Sequence, residues 1–297
     1  MLRPRARALR TALAVAAAFA LCASFARAGA ARDASAPLRV VATIEPLCML
    51  ARELGGARVV CATLVPAGAS PHAFEPRPSA LAAVAEAELL LRAGNGIDDW
   101  AVPLGNAGGG EWLVVGPACD RNDPACAHFW LDPFLALPAL APLEAALVAR
   151  DPLGAGGYGL RKVEFAVGVF ALDAELALQL AGVRGAEFVA FHPAWGGFAA
   201  HFGLRELGSI QDHGAEEPTP RRLAELITAA RAANVRAVLV EPQLDPHTAR
   251  IVAEELGARV VTVDPLGDPR DPERASYTAL LRWNARQLAA ALAEEKP

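Results

Sequence analysis

The sequence lacks any uncharged apolar run that is long enough to cross a membrane. Its N-terminal apolar run, Thr11 to Leu21, has about ten residues, half of the roughly 20 that a membrane-spanning helix needs. Four arginines precede this run, and the A-x-A cleavage pattern Ala26-Arg27-Ala28 follows it. We therefore expect residues 1–28 to be a cleaved secretory signal peptide and the mature protein to be periplasmic. A lipoprotein anchored through Cys22 is the alternative, although Leu21 is bulkier than the small residue usual before a lipidated cysteine.

Basic residues are scarce in the mature chain. Removing residues 1–28 takes five arginines and no acid from the sequence, so that 23 basic and 33 acidic side chains remain and the net charge becomes −10. This balance argues against nucleic acid as a partner, because nucleic-acid binding depends on neutralising phosphates with Lys and Arg. The acidity would attract cations, although an excess of carboxylates is more often a solvated surface.

The mature chain has few cysteines. They are Cys48, Cys61, Cys119 and Cys126, and an oxidising compartment allows them three complete pairings. Cys119 and Cys126 bracket the polar loop CDRNDPAC, and we expect these two to form a disulfide. Buried free thiols are the alternative.

Short β-branched runs alternate with helix-like segments in both halves of the chain. In the first half, helices at Pro46–Leu54 and Pro76–Ala87 separate the first three of four strand-like runs, at 38–44, 57–65, 88–94 and 111–116. In the second half, alanine-rich helices at 219–234 and 246–256 accompany three such runs, at 187–191, 236–241 and 258–263. This pattern predicts an α/β protein in which two lobes each contain a parallel sheet flanked by helices.

A long helix is predicted between the lobes. The segment Tyr158–Leu180 is rich in apolar residues and contains no proline, which predicts one helix of about 20 residues and roughly 30 Å. Its charges are too sparse for an exposed rod, so we expect it to lie against both lobes. The domains predicted after the signal peptide are therefore an N-terminal α/β lobe at 29–153, a linking helix at 154–182 and a C-terminal α/β lobe at 183–297.

Three of the six histidines stand where a strand or loop gives way to a helix. They are His72 in SPHAFEP, His128 in CAHFWLDP and His192 in AFHPAWGGF, while Asp264 ends the strand RVVTV at the corresponding edge of the second lobe. Because ligands of open α/β sheets bind outside the carboxyl ends of the strands, these side chains point toward a shared crevice. Three imidazoles and one carboxylate suit zinc better than manganese or calcium. The alternative is that each histidine only forms hydrogen bonds within a loop or caps a helix. The spacings between the four residues, 56, 64 and 72, match no local metal-binding motif.

The residues around His72 predict how the chain presents it. Pro71 restricts Ser70 to an extended conformation, and Gly68 supplies a turn. Pro76 then sets up the following helix. We expect this arrangement to place the imidazole of His72 at the crevice.

Four further residues are candidates for the surroundings of the site. Glu75 would accept a ring N–H of a histidine ligand or else favour a helix N-terminus. Trp130 and Trp195 flank predicted ligands and would keep the cleft dry or serve as ordinary packing. His213, in the acidic loop IQDHGAEEPTP, would belong to a lid or a weak second site, with a solvated loop as the alternative.

Six segments in register resemble one known family. They are LVPAGASPHAFEPRPS, HFWLDP, FVAFHPAWGGFAAHFGL, EEPTPRRLAELI, AVLVEPQLDP and VVTVDPLG, and together they extend from about Leu38 to Leu292. They look like the zinc- and manganese-binding substrate-binding proteins of ABC transporters, the cluster A-I family. The resemblance implies two lobes joined by one long helix, with the transported metal in the cleft between them. Its ligands would be His72 and His128 from the first lobe and His192 and Asp264 from the second.

The resemblance also implies the partner and the metal. The partner would be an ABC permease of the inner membrane, and the protein, expected to be a monomer, would not be an enzyme. Manganese-type members tend to carry a carboxylate where this chain has His192, which favours Zn²⁺ over Mn²⁺. Two features depart from the family pattern: the stretch Asn106–Ala127 has no histidine-rich loop, and Pro193 stands where an acid often follows the third ligand.

Three rival functions compete with that of a zinc receptor. A secreted zinc hydrolase would use a similar set of ligands, but the sequence has neither H-E-x-x-H nor G-x-S-x-G, and its first strand ends ATIEP without a histidine pair. A manganese-selective receptor is the second rival, and an adhesin-like metal-binding protein is the third.

Overall fold

The computed structural model describes residues 36–108, 110–118, 124–211 and 218–293. The predicted signal peptide, with Cys22, lies outside these ranges. So do Cys119 and His213, and the predictions about all of these residues therefore stay predictions.

Two four-stranded parallel sheets organise the chain. The first has the strand order β2-β1-β3-β4, and its strands are β1 Leu38–Ala42, β2 Val59–Thr63, β3 Leu89–Arg92 and β4 Trp112–Val114. The second has the order β6-β5-β7-β8, and its strands are β5 Glu187–Ala190, β6 Arg205–Ser209, β7 Ala237–Val240 and β8 Arg259–Thr262. The two sheets share one topology, which confirms the predicted fold class. Strand β6 was not predicted.

Helices connect the strands and cover both faces of each sheet. Those of the first half are α1 Glu45–Gly55, α2 Pro78–Glu86, α3 Val102–Gly108, α4 Pro124–Ala127, α5 Pro133–Ala136 and α6 Leu140–Arg150. The long helix α7, Ala155–Gln179, leads to α8 Gly196–Phe202, α9 Pro220–Ala232, α10 His247–Leu256 and α11 Tyr277–Leu292. Proline stands in the first turn of α2 and α9, where its missing N–H costs no hydrogen bond. The Ser276 side chain caps α11 by accepting from Ala279 N at 3.3 Å.

Both sheets turn one face onto a shared apolar core. Along β1, Val40 packs into this core and Val41 faces the opposite side, as the two-residue period of a strand requires. Along β7, Leu239 packs into the same core and Val238 faces the outer cluster of the second sheet. The inner faces of the two lobes are therefore buried together, and each sheet has its own smaller cluster on the outside.

Helix α7 has one buried and one exposed apolar face. It is 25 residues long and buries five side chains, Tyr158, Phe165, Val169, Leu172 and Leu176. Arg161 donates to Leu54 O of α1 at 2.7 Å, and Arg282 of α11 donates to Glu175 at 2.8 Å, so the helix contacts elements of both halves. The opposite face exposes more than half of five apolar side chains, Leu160, Val163, Val167, Phe170 and Leu178. The prediction that the helix packs against both lobes holds for one of its faces only.

The predicted lobe boundaries at 29–153, 154–182 and 183–297 stay predictions. Each sheet lies within one predicted lobe, and both sheets belong to one compact unit. The last helix, α11, contacts α1 as well as α7.

His201 ties α8 to two other elements. Its Nδ1 lies 3.1 Å from Asp132 Oδ2, and its Nε2 lies 2.6 Å from Asp173 Oδ1 of α7. Asp132 also caps α5, where its Oδ1 accepts from Phe134 N at 2.8 Å. The hydrogen bond to Asp132 and the second carboxylate raise the pKa of His201 above its usual value, against the opposing effect of burial.

The segment Pro133–Arg150 has the length and apolarity of a membrane-crossing helix, but it is not one continuous helix here. A 3₁₀ turn at Leu137–Ala139 separates α5 from α6. The buried residues of α6, Leu140, Leu143 and Leu147, pack into the shared core.

A disulfide joins the first helix to the second strand. Cys48 of α1 and Cys61 of β2 are bonded, and they are 13 residues apart in sequence. Cys126 is disulfide-bonded as well. Its predicted partner, Cys119, lies outside the described residues, so that pairing stays a prediction.

Removing the disulfide between α1 and β2 should destabilise the fold. For a loop of this length, the lost restriction of the unfolded chain predicts that Cys48→Ala with Cys61→Ala lowers the free energy of unfolding by about 3 kcal/mol. Urea denaturation of both proteins measures this difference. Substitution is preferable to a reducing agent, because a reducing agent would also break the bond of Cys126. An unchanged midpoint would contradict the prediction.

Candidate metal centre

His72 lies on a short turn that leads from β2 to α2. Ser70 is extended, with φ −78° and ψ 129°, and Gly68 has φ +83°, as the sequence predicts. Pro71 begins the 3₁₀ turn Pro71–Ala73, and its carbonyl accepts a hydrogen bond from Trp100 Nε1 at 2.8 Å. The backbone before the imidazole is thus fixed by its own conformation and by a contact with another element.

His128 follows α4 at the edge of the first sheet. Asn95, in the loop after β3, donates to Cys126 O at 3.1 Å and so holds the chain two residues before His128. The next residue, Phe129, is fully buried, and the ring of Trp130 meets the His128 imidazole edge-on at 5.4 Å between centroids. The side chain of His128 is only 4% exposed.

His192 lies beside Glu241 because of the strand register. In the second sheet Ala190 of β5 pairs with Leu239 of β7, an offset of 49 residues that also separates His192 from Glu241. Both residues therefore stand two positions beyond paired residues at the carboxyl ends of neighbouring parallel strands. Nδ1 of His192 lies 2.7 Å from Glu241 Oε1.

The three histidines meet at one point. Their ring centroids are 4.9 Å apart for His128 and His192, 5.1 Å for His72 and His192, and 5.6 Å for His72 and His128. One nitrogen from each ring lies within 4.8 Å of the other two, and Nε2 of His192 is 3.2 Å from Nε2 of His128. Two of these histidines come from the first half of the chain and one from the second.

Carboxylates of the second sheet set the charge at His192. Burial, the largest single effect, lowers the pKa of His192, but the charge and hydrogen bond of Glu241 together with the charge of Glu206 leave the net pKa raised. Oε1 of Glu241 also accepts from Trp195 Nε1 at 3.3 Å, so this carboxylate is itself fixed in place. Farther away, burial raises the pKa of Glu206 to about 7, although Trp195 N donates to that carboxylate at 3.1 Å.

Asp264 stands at the expected edge, but it does not belong to the group of three histidines. It follows β8 and is 1% exposed. Oδ2 forms an ion pair with Arg274 Nη1 at 2.7 Å, and Oδ1 accepts from Gln243 Nε2 at 3.0 Å. Its role as a metal ligand stays a prediction.

A cavity of about 20 Å³ lies beside the three imidazoles. Its lining includes Trp130, Gln211, Glu241 and Gln243 as well as the histidines. A space of this size holds about one water molecule, which is the scale of a single ion rather than of an organic ligand.

The other predicted residues have different surroundings. Trp130 is fully buried and donates from Nε1 to Pro265 O at 2.7 Å, across to the loop that follows β8. Trp195 is also fully buried and holds Glu241. Glu75 is exposed. The hydrogen bond from a histidine ring N–H that was predicted for Glu75 is formed instead by Glu241, with His192.

Glu241 and Gln243 were missed by sequence reasoning. The position of Glu241 could have identified it, because this acid directly follows β7. Asp264, which was predicted, comes two residues after the end of β8. An acid just beyond the end of a parallel strand identifies the same sheet edge in both cases.

This arrangement fits a divalent transition-metal ion. Three imidazoles suit zinc, copper, iron or nickel, and three protein ligands leave a fourth position for a further donor. Metal-bound histidines usually donate their second ring N–H to a carboxylate or carbonyl, as Nδ1 of His192 does to Glu241. The fold and the site together define a two-lobed metal-binding receptor.

The comparison with known families identifies a particular family within this class. A family model described as "Zinc-uptake complex component A periplasmic", ZnuA, matches residues 40–291. The chain belongs to this family, which is part of the cluster A-I substrate-binding proteins of ABC transporters.

Individual relatives extend over nearly the whole chain. The high-affinity zinc uptake system protein ZnuA of Paracoccus denitrificans is 26% identical over 295 residues, covering 84% of this chain and 90% of the relative. A crystal structure of a ZnuA deletion mutant with zinc bound superposes with a TM-score of 0.77 at 26% identity, over 88% of this chain and 100% of that one. The laminin-binding protein Lmb of Streptococcus agalactiae, described as having adhesin and metal-transporting activity, gives a TM-score of 0.76 at 26% identity, over 86% and 99% of the two chains.

Neutralising Glu241 should weaken metal binding without removing a ligand. Glu241→Gln keeps an oxygen that can accept from His192 but removes the charge that makes the imidazole a better donor, so we expect zinc affinity at pH 7.5 to fall about tenfold. Competition with a chelator measures the affinity. Glu206→Gln is the control, because Glu206 contacts Trp195 but is not bonded to His192, and its effect should stay within about threefold. Equal affinities for Glu241→Gln and wild type would contradict the role of Glu241.

Proposed function

We propose that the protein is an extracytoplasmic receptor that captures a zinc ion and delivers it to an ABC importer. The observation that carries the proposal is the group of three histidine side chains from two lobes, with a nitrogen of each within 4.8 Å of the others. An all-imidazole set favours zinc over the harder manganese ion. Membership of the zinc-uptake family supports both the importer and a location outside the cytoplasm.

The receptor performs no chemical step. His72 and His128 bind the ion from the first lobe, and His192 binds it from the second. Glu241 holds His192 with Nε2 turned toward His128, and the buried ring of Trp130 covers one side. A hydrolase has no support among the relatives named above, which are described as zinc-uptake proteins and as a protein with adhesin and metal-transporting activity.

Metal analysis tests the proposal directly. The protein purified without added metal should contain about one zinc per chain, and the metal-free form should regain one zinc on titration. Because a lost supporting carboxylate already costs 10–100-fold, His192→Ala, which removes a ligand, should weaken zinc binding by at least about 100-fold. His247→Ala is the matched control, since His247 is an exposed histidine at the start of α10. A chain that takes up no zinc, or a His192→Ala variant that binds it as wild type does, would overturn the proposal.

Zinc affinity should fall as the pH is lowered. Protons and zinc compete for the same ring nitrogens, and the raised pKa of His192 places the start of this competition above the ordinary histidine value of about 6.5. Titrations at pH 8, 7, 6 and 5 should give a progressively steeper loss as the other two imidazoles become protonated. Equal affinity at pH 5 and pH 7.5 would contradict binding through histidine.

A further inference from the structure

The carboxylate of Asp264 accepts four hydrogen bonds from protein donors. Oδ1 accepts from Gln243 Nε2 and from the backbone N–H groups of Leu266 and Gly267, each at 3.0 Å. Oδ2 accepts from Arg274 Nη1 at 2.7 Å. Each oxygen of an ionised carboxylate has about two acceptor positions, so Oδ1 is saturated, whereas Oδ2 keeps one position beside the positive charge of Arg274. A metal ion could bind Asp264 only through Oδ2, close to the guanidinium of Arg274, whose positive charge would repel it.

Arg274, the charged donor, is held from three sides. Its Nε and Nη2 contact Asp271 Oδ2 at 2.8 and 2.7 Å, and its guanidinium lies 5.0 Å from the ring centroid of Trp283. The loop between Asp264 and Arg274 is tight, because a Cβ on Gly267 would meet Arg274 O at 2.6 Å. The ion pair with Asp264 is therefore built into the loop, and Arg274 has little freedom to move away.

Gln243 borders the cavity beside the histidines. Because its Nε2 donates to Asp264, its Oε1 faces away from that carboxylate. This oxygen is buried, and the part of the chain that the structure describes gives it no hydrogen-bond partner. A buried carbonyl without a partner is unfavourable, and Gln243 borders the same cavity as the three imidazoles. An ion bound there would satisfy it.

We propose that Arg274 withholds Asp264 from the metal, and that Gln243 supplies a neutral oxygen on the fourth side of the three-histidine site. The consequence is selectivity. Manganese favours carboxylate ligands, so a site without one loses more affinity for manganese than for zinc. This inference rests on the proposed metal-receptor function and adds to it the residues that decide which ion is bound.

Four single variants test the inference when zinc and manganese affinities are measured for each by chelator competition. Arg274→Met removes the charge beside the carboxylate and should raise manganese affinity relative to zinc by about tenfold or more. Arg274→Lys keeps a positive charge there but not the contacts with Asp271 and Trp283, so it should raise the ratio less than Arg274→Met does. Gln243→Glu should also raise the relative manganese affinity. Gln243→Leu should weaken zinc binding about tenfold without favouring manganese.

Asp264→Asn distinguishes a metal ligand from a residue that only accepts hydrogen bonds from Gln243 and the loop. The amide oxygen can still accept from Gln243 and from the loop, so zinc affinity should fall no more than about tenfold. Adding Asp264→Asn to Arg274→Met should abolish the gain in manganese affinity, because the freed carboxylate is its source. A loss of zinc binding in Asp264→Asn as large as in His192→Ala would overturn the inference. So would an unchanged zinc-to-manganese ratio in Arg274→Met.

Folding and function are controlled separately. Arg282→Met removes an arginine that pairs with Glu175 on α7 and should leave the metal ratio unchanged. Thermal melting of each metal-free variant identifies those that do not fold. Should the Arg274 variants not fold, the inference is tested instead by the visible spectrum of Gln243→Glu loaded with Co²⁺. That spectrum should differ from wild type if residue 243 faces the metal, and identical spectra would overturn the inference. Wild-type protein that binds no metal would instead refute the proposed function itself.

Discussion

The burial of both sheets against one apolar core determines where a ligand can bind. Parallel strands all end at the same edge of their sheet, so each lobe has one edge at which loops carry polar side chains. The shared core fixes these two edges opposite each other. His72 and His128 at one edge then meet His192 at the other without any local sequence motif, and their separation in sequence is large because each comes from a different βα connection.

Two carboxylates at the second edge have opposite functions because their neighbours differ. Glu241 follows β7 and contacts the ring of His192, so its charge increases the basicity of that imidazole. Asp264 follows β8 and contacts a cation, Arg274, so its charge is balanced within the loop. The sequence positions are similar, each just beyond the carboxyl end of a parallel strand. The neighbouring residue therefore decides that Glu241 acts on a histidine and that Asp264 is neutralised within its own loop.

The parts of this arrangement that depend on local chemistry could be predicted from the sequence. Pro71 and Gly68 fix the turn that carries His72 through their own backbone preferences, and the strand-to-helix junctions at His128 and His192 follow from the α/β pattern. Strand β6 was missed because RELGS has one large apolar residue. As an edge strand whose middle residues are only partly buried, it needs no continuous apolar run. Long-range pairings were beyond this kind of reasoning: the contact between His192 and Glu241 depends on the register of two strands, and the ion pair of Asp264 depends on the path of a loop.

The same cross-lobe contacts constrain how an ion can leave. Any movement that separates His192 from His128 must also act on the hydrogen bond from Trp130 to Pro265 and on the contact of His201 with Asp132, because both connect elements of the two halves. Neither lobe alone contributes all three histidines, so an ion would be held less tightly by the histidines of one lobe. In the proposed receptor, ion release would therefore be coupled to the breaking of these polar contacts.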